Sequence, residues 1–552
     1  MATDRMTVAS ARTARRRARG CWAAALALAV FAALRVAAVY TAAGNWDEFG
    51  LLENAAISHE TGVLRGGGRP GLAQLAVLPL VAGCDDEMQV LQRARLLWVA
   101  ITLAYLVGVG VLAVQCQRAC GGALAAPSPP EGDRSVAGAV LAVALLALVP
   151  AFLQWSIQVR TDQIALAGGV WGGIALLASL HRPALALAAG ALLALGFLSS
   201  QKLLYVAALV ALLALAQLDF GRRARWPRDA LRAALCAAGC AACLLAVQLL
   251  VARDLEIDRD RSVLSETVVR SGLSSFDFYR NTIGWSLYRT LLPTLIPHAV
   301  LLAGLVAATF SARRRRQPIG AALATAWSIL LLGAAVCGFH AAAFPYFWMT
   351  LGLFPALAFA LARRPIGALA SALGRVRPLA VAAFWLGLAG PGMYELFSML
   401  GDAQKVQRDS LAFIHASFEP TAAGFHPESA LFCRGDAQPL NHFFSADIYR
   451  RFGRPGSEAN RARFIQQFRD ERILFILDSF RLNQFPVEIR RFWADNYQPY
   501  RAAVYVAGRQ LAGERGSSSE FDLVAAGEYR WIPSARPMPI EVNGRRLAPG
   551  ET

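Results

Sequence analysis

Residues 134–162 read RSVAGAVLAVALLALVPAFLQWSIQVRTD, and no charge falls between Arg134 and Arg160. An uncharged apolar run of this kind is about what the hydrocarbon core of a bilayer, roughly 30 Å thick, demands of a crossing helix. Similar runs recur at Leu203–Leu218 and Ile319–Phe339. Across 552 residues the chain is 56% hydrophobic and only 17% charged, against about 45–50% and 25% for ordinary soluble domains. This excludes an ordinary soluble enzyme, a disordered chain and a small disulfide scaffold. The net charge of +17 would suggest nucleic acid in a soluble protein. Here the arginines sit between the apolar runs, where they set membrane orientation instead.

The apolar runs predict spans near 22–43, 94–115, 136–154, 163–180, 183–199, 203–218, 230–252, 294–311, 319–339, 346–362 and 379–399, about eleven in all. Arg5, Arg12, Arg15, Arg16, Arg17 and Arg19 place the N-terminal tail (1–19) in the cytoplasm. Alternate connections then carry Arg118 and Arg134, Arg182, Arg222 to Arg228, Arg313 to Arg316, and Arg363 to Arg377, as the positive-inside rule requires. The short connections on the other side hold only Arg160 and Lys202. The first span carries a basic flank and Thr41-Ala42-Ala43, like a cleaved signal peptide, but its apolar stretch is long for one. An odd number of spans puts residues 401–552 outside the cell, and the expected location is a bacterial inner membrane, crossed many times. Cys236, Cys240 and Cys243 share one helical face and suggest helix packing. Cys84 and Cys433 are the two outer cysteines and a possible disulfide.

Two outer loops, 44–92 and 253–293, carry the unusual polar residues. Asn45-Trp46-Asp47-Glu48 follows the first span directly, and a short apolar segment at Leu72–Val81 is better suited to lie along the interface than to cross. Gln158-Val159-Arg160-Thr161-Asp162 lies on the same expected face, and so does Ser199-Ser200-Gln201-Lys202, in a chain with just two lysines. Each alone reads equally well as a solvated charge or a snorkelling lysine. Together, charges gathered at one membrane face point to a site. The later loop mixes aromatics with arginines, including Tyr279 and Arg280, and reads either as an interfacial helix or as a lid. His340 and Tyr346 flank the ninth and tenth spans, as a sugar contact or as part of an aromatic belt.

The order of these features resembles the GT-C superfamily of polytopic glycosyltransferases, in the branch of protein O-mannosyltransferases, lipid A aminoarabinose transferase and bacterial galacturonosyltransferases. The resemblance runs through Asp47-Glu48, Arg69-Pro70-Gly71-Leu72, Arg95-Leu96, Arg160-Thr161-Asp162, Gly196-Phe197-Leu198-Ser199-Ser200-Gln201-Lys202 and the aromatic stretch from His340 to Pro355. It covers roughly residues 20–400, the implied catalytic domain. The family usually shows a lysine and a second proline where this chain has Arg69 and Gly71.

The resemblance implies a polyprenyl-phosphate sugar as donor and single displacement with inversion at the anomeric carbon. It also implies a glycan, lipid or protein acceptor, without nucleic acid. Asp47 is the implied base, with Glu48 and Asp162 as accompanying carboxylates that position the acceptor or hold a cation. Arg69, Lys202, Arg160 and Arg280 are the implied phosphate ligands, and Tyr279, His340 and Tyr346 the implied substrate contacts. No cofactor or metal site is expected, although a divalent metal is compatible with the reaction. The competing readings are a transporter or flippase of lipid-linked substrates, a non-catalytic scaffold, and a lipid-linked sugar ligase or polymerase.

After Leu400 the long apolar runs stop. A small α/β domain is expected, with strands at Ala430–Cys433, Ile473–Leu477, Ala502–Ala507 and Glu528–Pro533. Helices are expected at Ser457–Glu471 and Pro486–Asn496, and a hairpin at Ile540–Leu547 around Asn543-Gly544. His426 with Glu428, and His442 with Asp447, have the composition of metal pairs but read more simply as surface hydrogen-bonding pairs.

Overall fold

The computed structural model describes residues 22, 25–64, 71–121, 132–200, 202–216, 226–254, 256–257, 299–311, 313–314, 320–339, 347–372, 374–437, 448–511, 518, 520–525, 529–530, 540–542 and 545–548. The chain divides into two units, Met1–Gln404 and Lys405–Thr552.

The first unit is helical. It runs α1 (Ala25–Thr41), α2 (Trp46–Thr61), β1 (Val63–Leu64), α3 (Leu72–Val81), α4 (Glu87–Gly121), α5 (Gly132–Ala147), α6 (Pro150–Trp155) and α7 (Thr161–Ala178). Then come α8 (Leu185–Ser199), α9 (Leu203–Leu215), α10 (Trp226–Asp254), β2 (Glu256–Ile257), α11 (Ala299–Ser311), α12 (Ala321–Phe339), α13 (Trp348–Leu351), α14 (Leu353–Ala372) and α15 (Arg377–Leu400). Among the described residues, Glu87–Arg118, Thr161–Ala178, Trp226–Val251 and Gly374–Ser417 are long and apolar enough to cross a membrane. These helices mark a mainly α-helical, membrane-associated protein.

Several of the eleven expected spans come out shorter than a bilayer is thick. The expected span at 136–154 is two helices, because Pro150 has no amide hydrogen to donate and starts α6 as a new N-terminal residue. The expected spans at 183–199 and 203–218 become the 15-residue α8 and the 13-residue α9. The segment Leu72–Val81 is the ten-residue helix α3, too short to cross.

Glycine decides how closely the helices approach. A Cβ on Gly168 of α7 would lie 2.8 Å from the Leu192 carbonyl oxygen of α8 and 3.1 Å from Gly196 Cα. On the far side of α8, a Cβ on Gly190 would lie 1.9 Å from the Cys236 carbonyl oxygen, and one on Gly239 would lie 2.0 Å from that of Leu187. Backbone-to-backbone contact of this kind is how small residues bind helices together in membranes. The α10 side of this contact is main chain, the Cys236 carbonyl and the Cys240 nitrogen, and not the cysteine side chains. Gly239→Ala is therefore expected to lower the thermal midpoint in detergent, by roughly the 1–3 kcal/mol of an overpacked core. Gly320→Ala, which meets nothing within 4 Å, is the matched control. Equal midpoints would show that the helix pair has slack.

The second unit contains α16 (Lys405–Ser417), β3 (Gly424–Phe425), α17 (Glu458–Asp470), β4 (Phe475–Leu477), α18 (Val487–Asn496), β5 (Tyr497–Arg501), β6 (Val504–Ala507), β7 (Ile540–Val542) and β8 (Arg545–Leu547). The main sheet has the order β3-β4-β6-β5, parallel between β3 and β4 and antiparallel elsewhere. Its core is aromatic, with Phe425, Phe464, Phe468, Phe485 and Trp493 in mutual ring contact. The buried Tyr497 hydroxyl donates to the Ile473 carbonyl at 2.9 Å, and burial pushes its phenol above the ordinary range.

The helices at 458–470 and 487–496 and the β7–β8 hairpin fall where the pattern predicts them. Ala430–Cys433 is not a strand. His426 Nδ1 accepts from the Ala430 amide at 2.8 Å, Ser429 takes a positive φ of 61°, and the chain turns into a 3-10 segment at Phe432–Ala437. The first strand is instead Gly424–Phe425. Tyr529 and Arg530 are not in a strand, and most of the expected strand around them lies outside the described residues. His426 and Glu428 are buried rather than on the surface, with Glu428 3.5 Å from Arg481. His442 and Asp447 lie outside the described residues. Cys84 and Cys433 are both disulfide-bonded.

Candidate active site

The site grows from the end of α1. Asn45 caps α2: its side chain accepts from the Asp47 amide at 3.0 Å, while Glu48 Oε2 accepts from the Asn45 amide at 2.9 Å. This reciprocal cap fixes the first turn of α2, the turn that carries both carboxylates. Acidic groups there also meet the positive end of the helix dipole.

The two neighbours have opposite fates. Glu48 is fully buried, and its four hydrogen bonds leave it no room for a substrate. Arg95 of α4 grips it in bidentate fashion, Nε to Oε1 at 2.8 Å and Nη2 to Oε2 at 2.6 Å. Oε1 also accepts from the Val159 amide at 2.9 Å. Arg95 spends its remaining donors on the Ala42 and Ala43 carbonyls, at 2.6 and 2.7 Å. One ion pair thus ties together the end of α1, the start of α2, α4 and the loop before α7. Asp47 keeps some exposure, and its Oδ2 is hydrogen-bonded to Arg160 Nη1.

The loop between α6 and α7 carries Arg160 and is held by side chains from three helices. Arg35 Nη2 donates to Ser156 Oγ at 2.9 Å, Thr102 Oγ1 to the Ser156 carbonyl at 3.0 Å, and Trp98 Nε1 to the Arg160 carbonyl at 2.6 Å. Gln163 Nε2 closes the loop by donating to the Trp155 and Gln158 carbonyls. The Arg160 guanidinium stands 5.4 Å over the Trp155 ring, a cation–π distance.

Beyond Arg160 the charges alternate. Asp162, in the first turn of α7, has Oδ2 3.7 Å from Arg160 Nε and 2.8 Å from Lys202 Nζ. Its Oδ1 accepts from Ser200 Oγ at 3.3 Å. The glycine contact between α7 and α8 makes this meeting possible, since it brings the start of α7 beside the end of α8. Lys202 precedes the first turn of α9, and burial pulls its ammonium below the ordinary 10.5 against the opposing pull of Asp162.

Asp47, Arg160, Asp162 and Lys202 therefore form one continuous chain, with Glu48 sealed behind it. Arg69, Tyr279, Arg280, His340 and Tyr346 lie outside the described residues. The pattern assigned no role to Arg95, Trp98, Thr102 or Ser156. The available signal for Arg95 was its place in Arg95-Leu96 at the opening of the second expected span; the hydroxyls and Trp98 gave none. Among the described residues no three His, Cys, Asp or Glu side chains group as a metal site. A separate cavity of about 460 Å³ is lined by Leu72, Leu75 and Leu78 of α3, Val247, Leu250 and Val251 of α10, and His59 and Gly62. No protein-family model matches the chain, and no curated protein matches it.

Proposed function

We propose that the protein is an integral-membrane inverting glycosyltransferase that moves a sugar from a polyprenyl-phosphate donor to an acceptor at the outer face of a bacterial inner membrane. The chain crosses many times, with its N-terminus in the cytoplasm and its second unit outside. The observation that carries this reading is the alternating Asp47–Arg160–Asp162–Lys202 chain. It puts a partly exposed carboxylate next to two cations at the ends of apolar helices. That is the combination a phosphate leaving group and an acceptor hydroxyl both need. The apolar cavity between α3 and α10 is of a size and lining suited to a lipid chain.

In this reaction Asp47 takes the proton of the acceptor hydroxyl while the acceptor oxygen attacks the anomeric carbon. The bond to the phosphate oxygen breaks, and the prenyl phosphate leaves with the electron pair. Arg160 and Lys202 stabilise the charge that grows there. A transporter would be expected to show broken helices with polar groups near the midplane. The charged cluster here sits instead at helix ends, with the buried Arg35 inside α1 as an exception.

The test is incubation of the purified protein with a panel of prenyl-phosphate sugars, following which one is consumed. Consumption of none in the presence of varied acceptors would remove the reading. Lys202→Ala is expected to raise the donor KM by at least tenfold, about the 1.4 kcal/mol or more of a charge-assisted hydrogen bond, with the acceptor KM little changed. An unchanged donor KM would reject the phosphate contact. The wild-type donor affinity is expected to fall as pH rises, with a midpoint below 10.5, because Lys202 loses its proton early. A loss that appears only above that value would place the titration elsewhere.

A further inference from the structure

We propose that Arg160 is a positioning residue shared between Asp47 and the donor phosphate. Its guanidinium caps the Asp47 carboxylate, and the arriving phosphate takes the guanidinium over and uncovers the base. This rests on the transferase reading above and adds an order of events to it: donor first, acceptor second.

The three carboxylates are held with very different firmness. Glu48 has four hydrogen bonds and no exposure. Asp162 has Lys202, Ser200 and Arg160 around it, and its side chain is 3% exposed. Asp47 has one ion-pair partner among the described residues, Arg160, and its side chain is 18% exposed. An entering anion that competes for these cations therefore displaces Asp47 before either of the others.

Arg160 is built for such an exchange. Its backbone is pinned by the hydrogen bond from Trp98 to its carbonyl. Its Nε faces Asp162 and its guanidinium plane rests on Trp155. The exchange is made at the Nη edge that meets Asp47, and a guanidinium fork binds a phosphate as well as it binds a carboxylate. While capped, Asp47 has a lone pair committed to Arg160 and is a poor receiver for the acceptor proton. Once the phosphate holds Arg160, that oxygen is free as the acceptor arrives. When the prenyl phosphate departs and the proton passes to water, Arg160 returns to Asp47.

The experiment measures carbodiimide labelling of Asp47 by peptide mass spectrometry, on the full-length protein in lipid nanodiscs. It is run with a prenyl monophosphate, with the matching prenyl alcohol, and with neither; binding of the monophosphate is followed in parallel with radiolabelled compound. The expected result is a several-fold rise in Asp47 labelling with the monophosphate and none with the alcohol. In Arg160→Gln the labelling is expected to be high throughout and indifferent to the monophosphate. Arg160→Lys, which keeps the cation and loses the fork, is expected to show an intermediate baseline and a weaker response. Monophosphate that binds while Asp47 labelling stays flat or falls would overturn the exchange and leave the transferase reading standing. Absence of binding would remove both.

Discussion

Asp47→Asn is expected to cut the transfer rate by at least the roughly 10²–10⁴-fold that a positioned general base supplies, while the fold stays close to wild type and donor affinity is kept or rises, since Arg160 no longer faces a competing carboxylate. The structure separates these effects. Asp47 supports α2 through its backbone amide, which donates to Asn45, and not through its carboxylate. The reciprocal cap runs through Asn45 and Glu48. The asparagine oxygen still accepts from Arg160, so the geometry of the loop before α7 survives, and only the proton acceptor is lost. Initial rates with saturating prenyl-phosphate sugar, alongside the thermal midpoint, decide the matter. A wild-type rate in a folded Asp47→Asn protein would remove the base assignment and favour a non-catalytic scaffold. A fall in rate with an equal fall in midpoint would show that the carboxylate is needed for folding.

The parts of this site that stood out in the sequence were those where a local rule is broken. A charge at the end of an apolar run is costly enough to need a reason, and Asp47, Asp162 and Lys202 were visible on that ground alone. Their convergence was not visible, because it depends on helices 38 or 40 residues apart lying side by side. Gly168 and Gly196 permit that approach, and a glycine in an apolar run does not announce its partner. The same holds for Glu48 and Arg95, 47 positions apart, where neighbouring Asp and Glu take unlike roles that their adjacency conceals. Helix existence was legible from hydropathy, but helix length was not. α8 ends at Ser199, where the turn that follows presents Ser200 and Lys202 to Asp162. In the second unit, Ala430–Cys433 is apolar and short like a strand, yet the His426 side chain captures the Ala430 amide that a ladder would have used. A side chain competing for a backbone donor leaves no mark on periodicity.

Arg95→Met is expected to lower stability by about 3–5 kcal/mol, the cost of leaving one partner of a buried ion pair uncompensated. The change strands Glu48, which has no exposure, and frees the Ala42 and Ala43 carbonyls at the end of α1 from their donors. Glu48→Gln leaves the equally buried Arg95 cation without its countercharge but with the Ala42 and Ala43 carbonyls as acceptors, and is expected to cost somewhat less. Glutamine still serves the third position of the cap, but one of its two oxygens becomes an NH2 facing donors on Arg95, Val159 or Asn45. The double variant should then recover part of the loss, because a neutral pair of similar volume removes the stranded charge. Denaturation of the four proteins in matched detergent, read as a double-mutant cycle, measures this coupling. Strict additivity would mean that the two side chains are not an energetic unit. The cycle also bears on catalysis. Glu48 anchors the Val159 amide, and the next residue is the arginine that meets Asp47. A pair that held only the fold would leave kcat intact in every variant that still folds. A pair that holds the loop would lower kcat in Glu48→Gln at temperatures where that variant is still folded, because the Val159 amide is one of the anchors, with the Trp98 bond to the Arg160 carbonyl, that place Arg160 beside Asp47.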